Sequence, residues 1–214
     1  AMGASGAAEY AFSVAVLGDP GVGKTALIRD LSEERAPPVV VVPPPTSQPP
    51  RPSFESTCAP AVDDMDAGAF TTHGVGPHIT RQRHSHKGRD FHVEVHDLPG
   101  SAHFLQAADL YCAPMAGLAF VFDVTSYDTF ASAQEWIDRV FRGVRATKRR
   151  APALVLLGNK KEVPPGTRRE VSSKSAKMFA QDKGMAYFEV SAATGDGVET
   201  AFDALLEAVC ERVP

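Results

Sequence analysis

The segment Gly18-Asp-Pro-Gly-Val-Gly-Lys24-Thr25 constrains this chain more than any other. It satisfies GxxxxGK[ST] in full, and it lies between a short apolar run, AFSVAVL at 11–17, and a helical stretch from about Lys24 to Glu34. Strand, glycine-rich turn and helix in that order converge backbone N–H groups on phosphate oxygens, aided by the positive end of the helix. In such a loop Gly18, Gly21, Val22, Gly23 and Ala26 line the phosphates. Lys24 reaches the terminal phosphates, and the Thr25 hydroxyl suits Mg²⁺.

Beyond the loop, apolar strand runs alternate with helical patterns. His78 to His84 and Phe91 to His96 form a hairpin around a polar turn containing Lys87-Gly88. GLAFVFDV at 117–124, ALVLL at 153–157 and AYFEV at 186–190 are further strands. Helical spacing covers Phe130 to Thr147, Ser172 to Lys183 and Val198 to Arg212. This alternation predicts an α/β fold, a mainly parallel sheet with helices on both faces. Ligands then sit beyond the carboxyl ends of the strands. We expect one domain from 10 to 214 behind an N-terminal tail or expression remnant at 1–9.

The alternation breaks once. Residues 36–69 are dense in proline, with a Val39-Val-Val-Val42 island and acids at Asp63, Asp64 and Asp66. Proline fixes φ and removes backbone donors, so the stretch is predicted to be a disordered insertion, far longer than an ordinary connection. A tolerated surface insertion and a proline-rich docking segment are both open readings.

Net charge is −4, which provides no global field to recruit nucleic acid. The local run Arg145-Ala-Thr-Lys148-Arg149-Arg150 suits a helix carboxyl end. Three cysteines, Cys58, Cys112 and Cys210, show no metal spacing, and their odd number favours a reducing, cytoplasmic setting. The N-terminus lacks signal-peptide character, no apolar run is long enough to span a bilayer, and Cys210-Glu-Arg-Val-Pro214 is not a prenylation box. No membrane anchor is visible in these residues, and a monomer is expected.

All seven histidines fall between His73 and His103. His92, Glu94 and His96 alternate on one strand face, a pattern open to zinc but more typical of a solvated hairpin face or of histidines packed beside acids.

Three further motifs each follow a strand: Asp97-Leu-Pro-Gly100, Asn159-Lys-Lys-Glu162 and Ser191-Ala-Ala193. With GDPGVGKT, FVFDVTSYDTF (120–130), LGNKKE (157–162) and FEVSAATGDGV (188–198), the chain resembles the Ras-like small GTPases, and within them the Rab and Rab-like branch, over about 12–212. DLPGSAHF, with LGNK and YFEVSA, is also similar to the atypical Rab-like proteins related to the Ras/J-domain family. The resemblance implies the P-loop small G-protein fold and a GTP/GDP switch with Mg²⁺. It also implies signalling or trafficking roles, and effectors, exchange factors and GTPase-activating proteins that bind at the switches.

Carried onto this sequence, the resemblance places Thr25 and Asp97 on Mg²⁺, joined by Thr72 as the switch threonine, with Thr71, Thr57 and Thr46 as alternatives. Gly100 would offer its N–H to the γ-phosphate. Asn159, Lys160 and Glu162 would face the guanine from one side, and Ser191, Ala192 and Ala193 from the other. The catalytic candidates are Lys24, Thr72, Gly100 and Ser101.

The chain also departs from the pattern. Ser101 replaces the glutamine that orients the attacking water, and is too short to do so, which implies slow hydrolysis unless His103 or a partner substitutes. Pro20 crowds the γ-phosphate position. Glu162 replaces an aspartate and shifts both acceptor oxygens, and Ala193 replaces a lysine. Two readings follow: a switch with weak or partner-dependent turnover, or a catalytically silent, GTP-bound adaptor.

Overall fold

The computed structural model describes residues 10–33, 76–146, 150–163 and 165–212. The tail at 1–9, the proline-rich insertion, Thr72 and its alternatives lie outside the described residues.

Six strands form one sheet: β1 (Tyr10–Leu17), β2 (His78–His86), β3 (Arg89–Asp97), β4 (Gly117–Asp123), β5 (Ala153–Asn159) and β6 (Ala186–Glu189). Their order is β2-β3-β1-β4-β5-β6. β2 runs antiparallel to β3, and the pairings β1·β3, β1·β4, β4·β5 and β5·β6 are parallel. The hairpin is longer than its sequence pattern suggests, because Lys87 (φ 51°) and Gly88 (φ 75°) turn the chain in only two residues.

Five helices complete the fold: α1 (Lys24–Glu33), α2 (Ala102–Cys112), α3 (Tyr127–Ala146), α4 (Ser173–Asp182) and α5 (Val198–Cys210). Every residue of β4 is buried, as expected of a central strand covered on both faces. The period of two sends Val14, Val16, Ala119 and Val121 to one face, where Leu27, Ile28, Phe202 and Leu205 of α1 and α5 meet them. Ala15, Leu17, Leu118, Phe120 and Phe122 go to the other face, against Ala108 and Cys112 of α2, Trp136 and Ile137 of α3, and Ala176 of α4. Helices therefore cover both sides, as the alternation predicts.

The sequence pattern does not predict helix α2. Its apolar residues are spread around the helix: Ala108 and Cys112 are buried while Leu110 is 80% exposed, which blurs the 3.6-residue period. The usable signal is local. Ser101 is its N-cap and accepts a hydrogen bond from the Phe104 N–H. Helix α3 begins at Tyr127, three residues ahead of the apolar stripe, because Ser126 and Thr129 bind the turn after β4.

From β1 the chain moves to β3 on one side of the sheet and later to β4 on the other. A crevice opens where the direction of winding reverses, beyond the carboxyl end of β1.

Candidate functional site

The loop between β1 and α1 occupies that crevice. Gly18 (φ 142°), Gly21 (φ 76°) and Gly23 (φ 97°) all adopt backbone conformations that side chains disfavour. At Gly18 a Cβ would lie 2.2 Å from the Val121 carbonyl oxygen, and at Gly23 2.2 Å from Asn159 Nδ2. The glycines thus let the loop lie against β4 and the carboxyl end of β5.

Lys24 opens α1 and folds back over the loop. Its ammonium donates to the Gly18 carbonyl at 2.9 Å and the Asp19 carbonyl at 2.8 Å. Burial lowers the pKa of this lysine, opposed by the charges of Asp97 and Asp19. Next to it, Thr25 Oγ1 donates to Asp97 Oδ2 at 2.5 Å. Asp97 ends β3 and is 4% exposed, and its Oδ1 is buried without a hydrogen-bond partner among the described residues.

The turn after β3 lies directly on the phosphate loop. A Cβ on Gly100 would fall 2.5 Å from Asp19 C and Pro20 N and 2.6 Å from the Gly18 carbonyl oxygen. Ser101, next in sequence, is exposed, and its hydroxyl caps α2. Pro20 is also exposed, at the crest of the loop.

The motifs after β5 and β6 meet across the same end of the sheet. Asn159, 1% exposed, ties three loops together: its Nδ2 donates to the Val22 carbonyl at 2.7 Å, and its Oδ1 accepts from the Ala192 N–H at 2.9 Å. Ser191 is equally buried and closes its own turn by accepting from the Thr194 N–H at 3.1 Å. Lys160 has a left-handed backbone (φ 63°) and pairs with Asp123 at 2.6 Å. Glu162 and Ala193 are exposed on the rims of these two loops.

Two acids of the site are not singled out by sequence reasoning. Asp123 ends β4 inside the FVFDVT segment and binds Lys160 together with the Thr125 N–H and hydroxyl. Burial would raise its pKa, but the Lys160 and Thr125 hydrogen bonds outweigh it and hold the carboxyl below its ordinary range. The second is Asp19, within the phosphate loop, whose Oδ1 accepts from Ser132 Oγ at 2.7 Å and Trp136 Nε1 at 3.0 Å. An acid ending a wholly apolar strand is a readable signal for Asp123. Nothing local marks Asp19, because its partners are on α3.

Behind the β6 loop, Arg169 makes a bidentate pair with Glu189 at 2.8 and 2.9 Å, and Tyr187 donates to the same carboxylate at 2.9 Å. The Arg169 hydrogen bonds hold Glu189 at a pKa of about 2.

Among the described histidines, His84 and His96 are buried, whereas His78 and His103 are exposed. His96 is 7% exposed, its Nδ1 lies 2.6 Å from the Tyr111 hydroxyl and its Nε2 3.8 Å from Glu94. His84 is buried 4.0 Å from Asp203. Both are histidines packed beside acids. Among the described residues no three His, Cys, Asp or Glu side chains converge on a metal-sized site.

A wound parallel sheet with a glycine-cradled loop, a buried lysine and a threonine–aspartate pair at its switch point defines a P-loop nucleotide-binding protein. The Ras family profile matches residues 67–211, and the chain belongs to the Ras family. It is 27% identical to the human Ras-related protein Rab-27B over 96% of this chain and 82% of that one. It is 23% identical to the Ras-related protein RABA4b of Arabidopsis thaliana, over 99% and 78%, and 23% identical to a probable Ras-related protein Rab-4A of Echinococcus multilocularis, over 96% and 76%. These relatives put it on the Rab branch of the small GTPases, as a small GTP-binding switch protein. Among the described residues no helix is long and apolar enough to cross a membrane.

Proposed function

We propose that the crevice binds GTP or GDP with Mg²⁺, and that the protein is a switch whose own hydrolysis is slow and depends on a partner. The observation that best supports this is the Thr25–Asp97 pair, in which the buried Asp97 keeps an Oδ1 with no hydrogen-bond partner among the described residues beside the phosphate loop. An unpaired, desolvated carboxylate oxygen is costly, and a hard divalent cation is the partner that such an all-oxygen donor set fits.

Mg²⁺, when bound, neutralises phosphate charge at the end of β3. Thr25 and Asp97 would hold it, with Thr72 as the proposed third ligand. Lys24 supplies a fixed cation next to the phosphates. Its hydrogen bonds to Gly18 and Asp19 hold it in place before substrate arrives, so little reorganisation is left for the reaction. The backbone N–H groups of Gly21, Val22, Gly23 and Ala26 complete the cradle. Gly100 lies close enough to the loop for its N–H to sense the third phosphate.

Asn159, Lys160, Glu162, Ser191, Ala192 and Ala193 form the proposed guanine end. There Asn159 braces the loops as well as facing the base, and the Lys160–Asp123 pair holds the lysine stem in place. The Glu162 carboxylate accepts from the N–H edge that distinguishes guanine from adenine and xanthine. Effectors, exchange factors and GTPase-activating proteins are the proposed partners of the α2 side and of the insertion.

A silent, GTP-bound adaptor is the second reading. The Ser101 hydroxyl is committed to the Phe104 N–H and is too short to orient a water, which favours it. Displacement of labelled GDP by GTP, ATP and XTP in Mg²⁺ tests the nucleotide, and equal competition by ATP refutes the guanine reading. Single-turnover hydrolysis then separates the two readings: slow but measurable turnover supports the switch, and none at all supports the adaptor.

A further inference from the structure

The sequence contains a single tryptophan, Trp136, which is 1% exposed in the middle of α3. A buried indole N–H needs an acceptor, and here the acceptor is a carboxylate inside the phosphate loop. Asp19 Oδ1 takes both the Trp136 Nε1–H at 3.0 Å and the Ser132 hydroxyl at 2.7 Å. Ser132 and Trp136 are four residues apart, and therefore lie on one face of the helix.

The same residue is held from the opposite side through its backbone: the Asp19 carbonyl accepts from Lys24 Nζ at 2.8 Å. Asp19 thus joins the phosphate-facing lysine to the body of α3. That helix is itself firmly seated. Its next residues along the stripe, Arg139 and Gly143, grip α2: Arg139 donates to the Gln106 carbonyl at 2.6 Å, and a Cβ at Gly143 would fall 2.5 Å from Asp109 Cβ. A loop whose glycines permit many conformations gains a fixed point on α3, in addition to the Asn159 bond to the Val22 carbonyl.

We propose that Asp19 is a positioning residue for nucleotide binding, clamping the phosphate loop to α3 so that Lys24 and the loop N–H groups are held in their binding geometry. The inference rests on the loop being the nucleotide site. Asp19 need not touch nucleotide. It acts as a hydrogen-bond acceptor, and its charge is secondary. Trp136 consequently reports on the loop without any label.

Release of labelled GDP from the full chain in Mg²⁺ tests this, using Asp19→Ala, Asp19→Asn, Trp136→Phe and the Asp19→Ala/Trp136→Phe double variant. Losing both hydrogen bonds should speed release about tenfold in Asp19→Ala, and losing one should speed it several-fold in Trp136→Phe. The double variant should release no faster than Asp19→Ala, because both changes break the same clamp. Asp19→Asn keeps an oxygen that accepts from both donors and should restore most of the lost retention. Asp19→Asn as fast as Asp19→Ala, or a double variant equal to the product of the singles, would overturn the clamp. Amide hydrogen exchange over residues 18–25 in nucleotide-free protein tests the clamp independently. It should accelerate in Asp19→Ala and Trp136→Phe, and unchanged exchange refutes the clamp. If the unmodified chain retains no labelled GDP, the guanine reading fails instead, and the exchange data still decide the clamp.

Discussion

At position 100 the space for a side chain is taken by backbone. Asp19 C, Pro20 N and the Gly18 carbonyl oxygen all lie within 2.6 Å of a Cβ there, and none of them can rotate away. Gly100→Ala must therefore push the turn after β3 off the phosphate loop. Overpacking of this kind costs about 1–3 kcal/mol. We expect a lowered thermal midpoint, and affinity for GTP should fall more than affinity for GDP, because in the proposed site only the third phosphate would use the Gly100 N–H. Parallel titrations of the two nucleotides check it, and equal losses would mean that Gly100 serves only the packing of the two loops.

At the scale of one element, Ser101 has a use besides the one its position suggests. It caps α2 by accepting from the Phe104 N–H at 3.3 Å. Ser101→Ala should cost about 1 kcal/mol, measurable by chemical denaturation. Ser101→Gln forfeits the same cap, so any gain in single-turnover hydrolysis should come with a similar stability loss. A faster variant of undiminished stability would show that the cap contributes little. The loops flanking β6 make a second case. Glu189 titrates at about 2 against an ordinary 4.5, because Arg169 and Tyr187 hydrogen-bond its charged form. A depressed folded-state pKa adds stability that is fully present above pH 4.5 and is lost as pH falls toward 2. Glu189→Gln should therefore flatten the acid limb of stability in that window, as followed by thermal melts at stepped pH.

For the whole molecule, the site is assembled at one end of a sheet whose two faces are covered by different helices. In the proposed site, nucleotide would bridge the turns that follow β1, β3, β5 and β6, so binding should stabilise the fold as a unit. At a hundredfold excess over its Kd, Mg²⁺-GDP should add about 2.7 kcal/mol and raise the melting midpoint by about 5–10 °C. ATP at the same concentration should not. An equal rise with ATP would contradict the guanine end of the site.

The chain alone determined the strand–helix alternation, the wound sheet and the position of the phosphate loop, because a period of two, a period of 3.6 and a GxxxxGK[ST] run are local patterns. Asp97, Gly100, Asn159 and Ser191 were legible as residues that follow strands, in an order that the Ras family resemblance makes specific. What the local pattern did not contain was α2, whose apolar residues spread around the helix, and the contacts made between distant segments. Asn159 bracing Val22 and Ala192, Lys160 paired with Asp123, and Asp19 held by Ser132 and Trp136 join residues up to 137 positions apart in sequence. Each depends on which strands become neighbours and which helix covers them. Only the tertiary structure decides that, because those choices minimise the exposed apolar area of the whole chain rather than of any one segment.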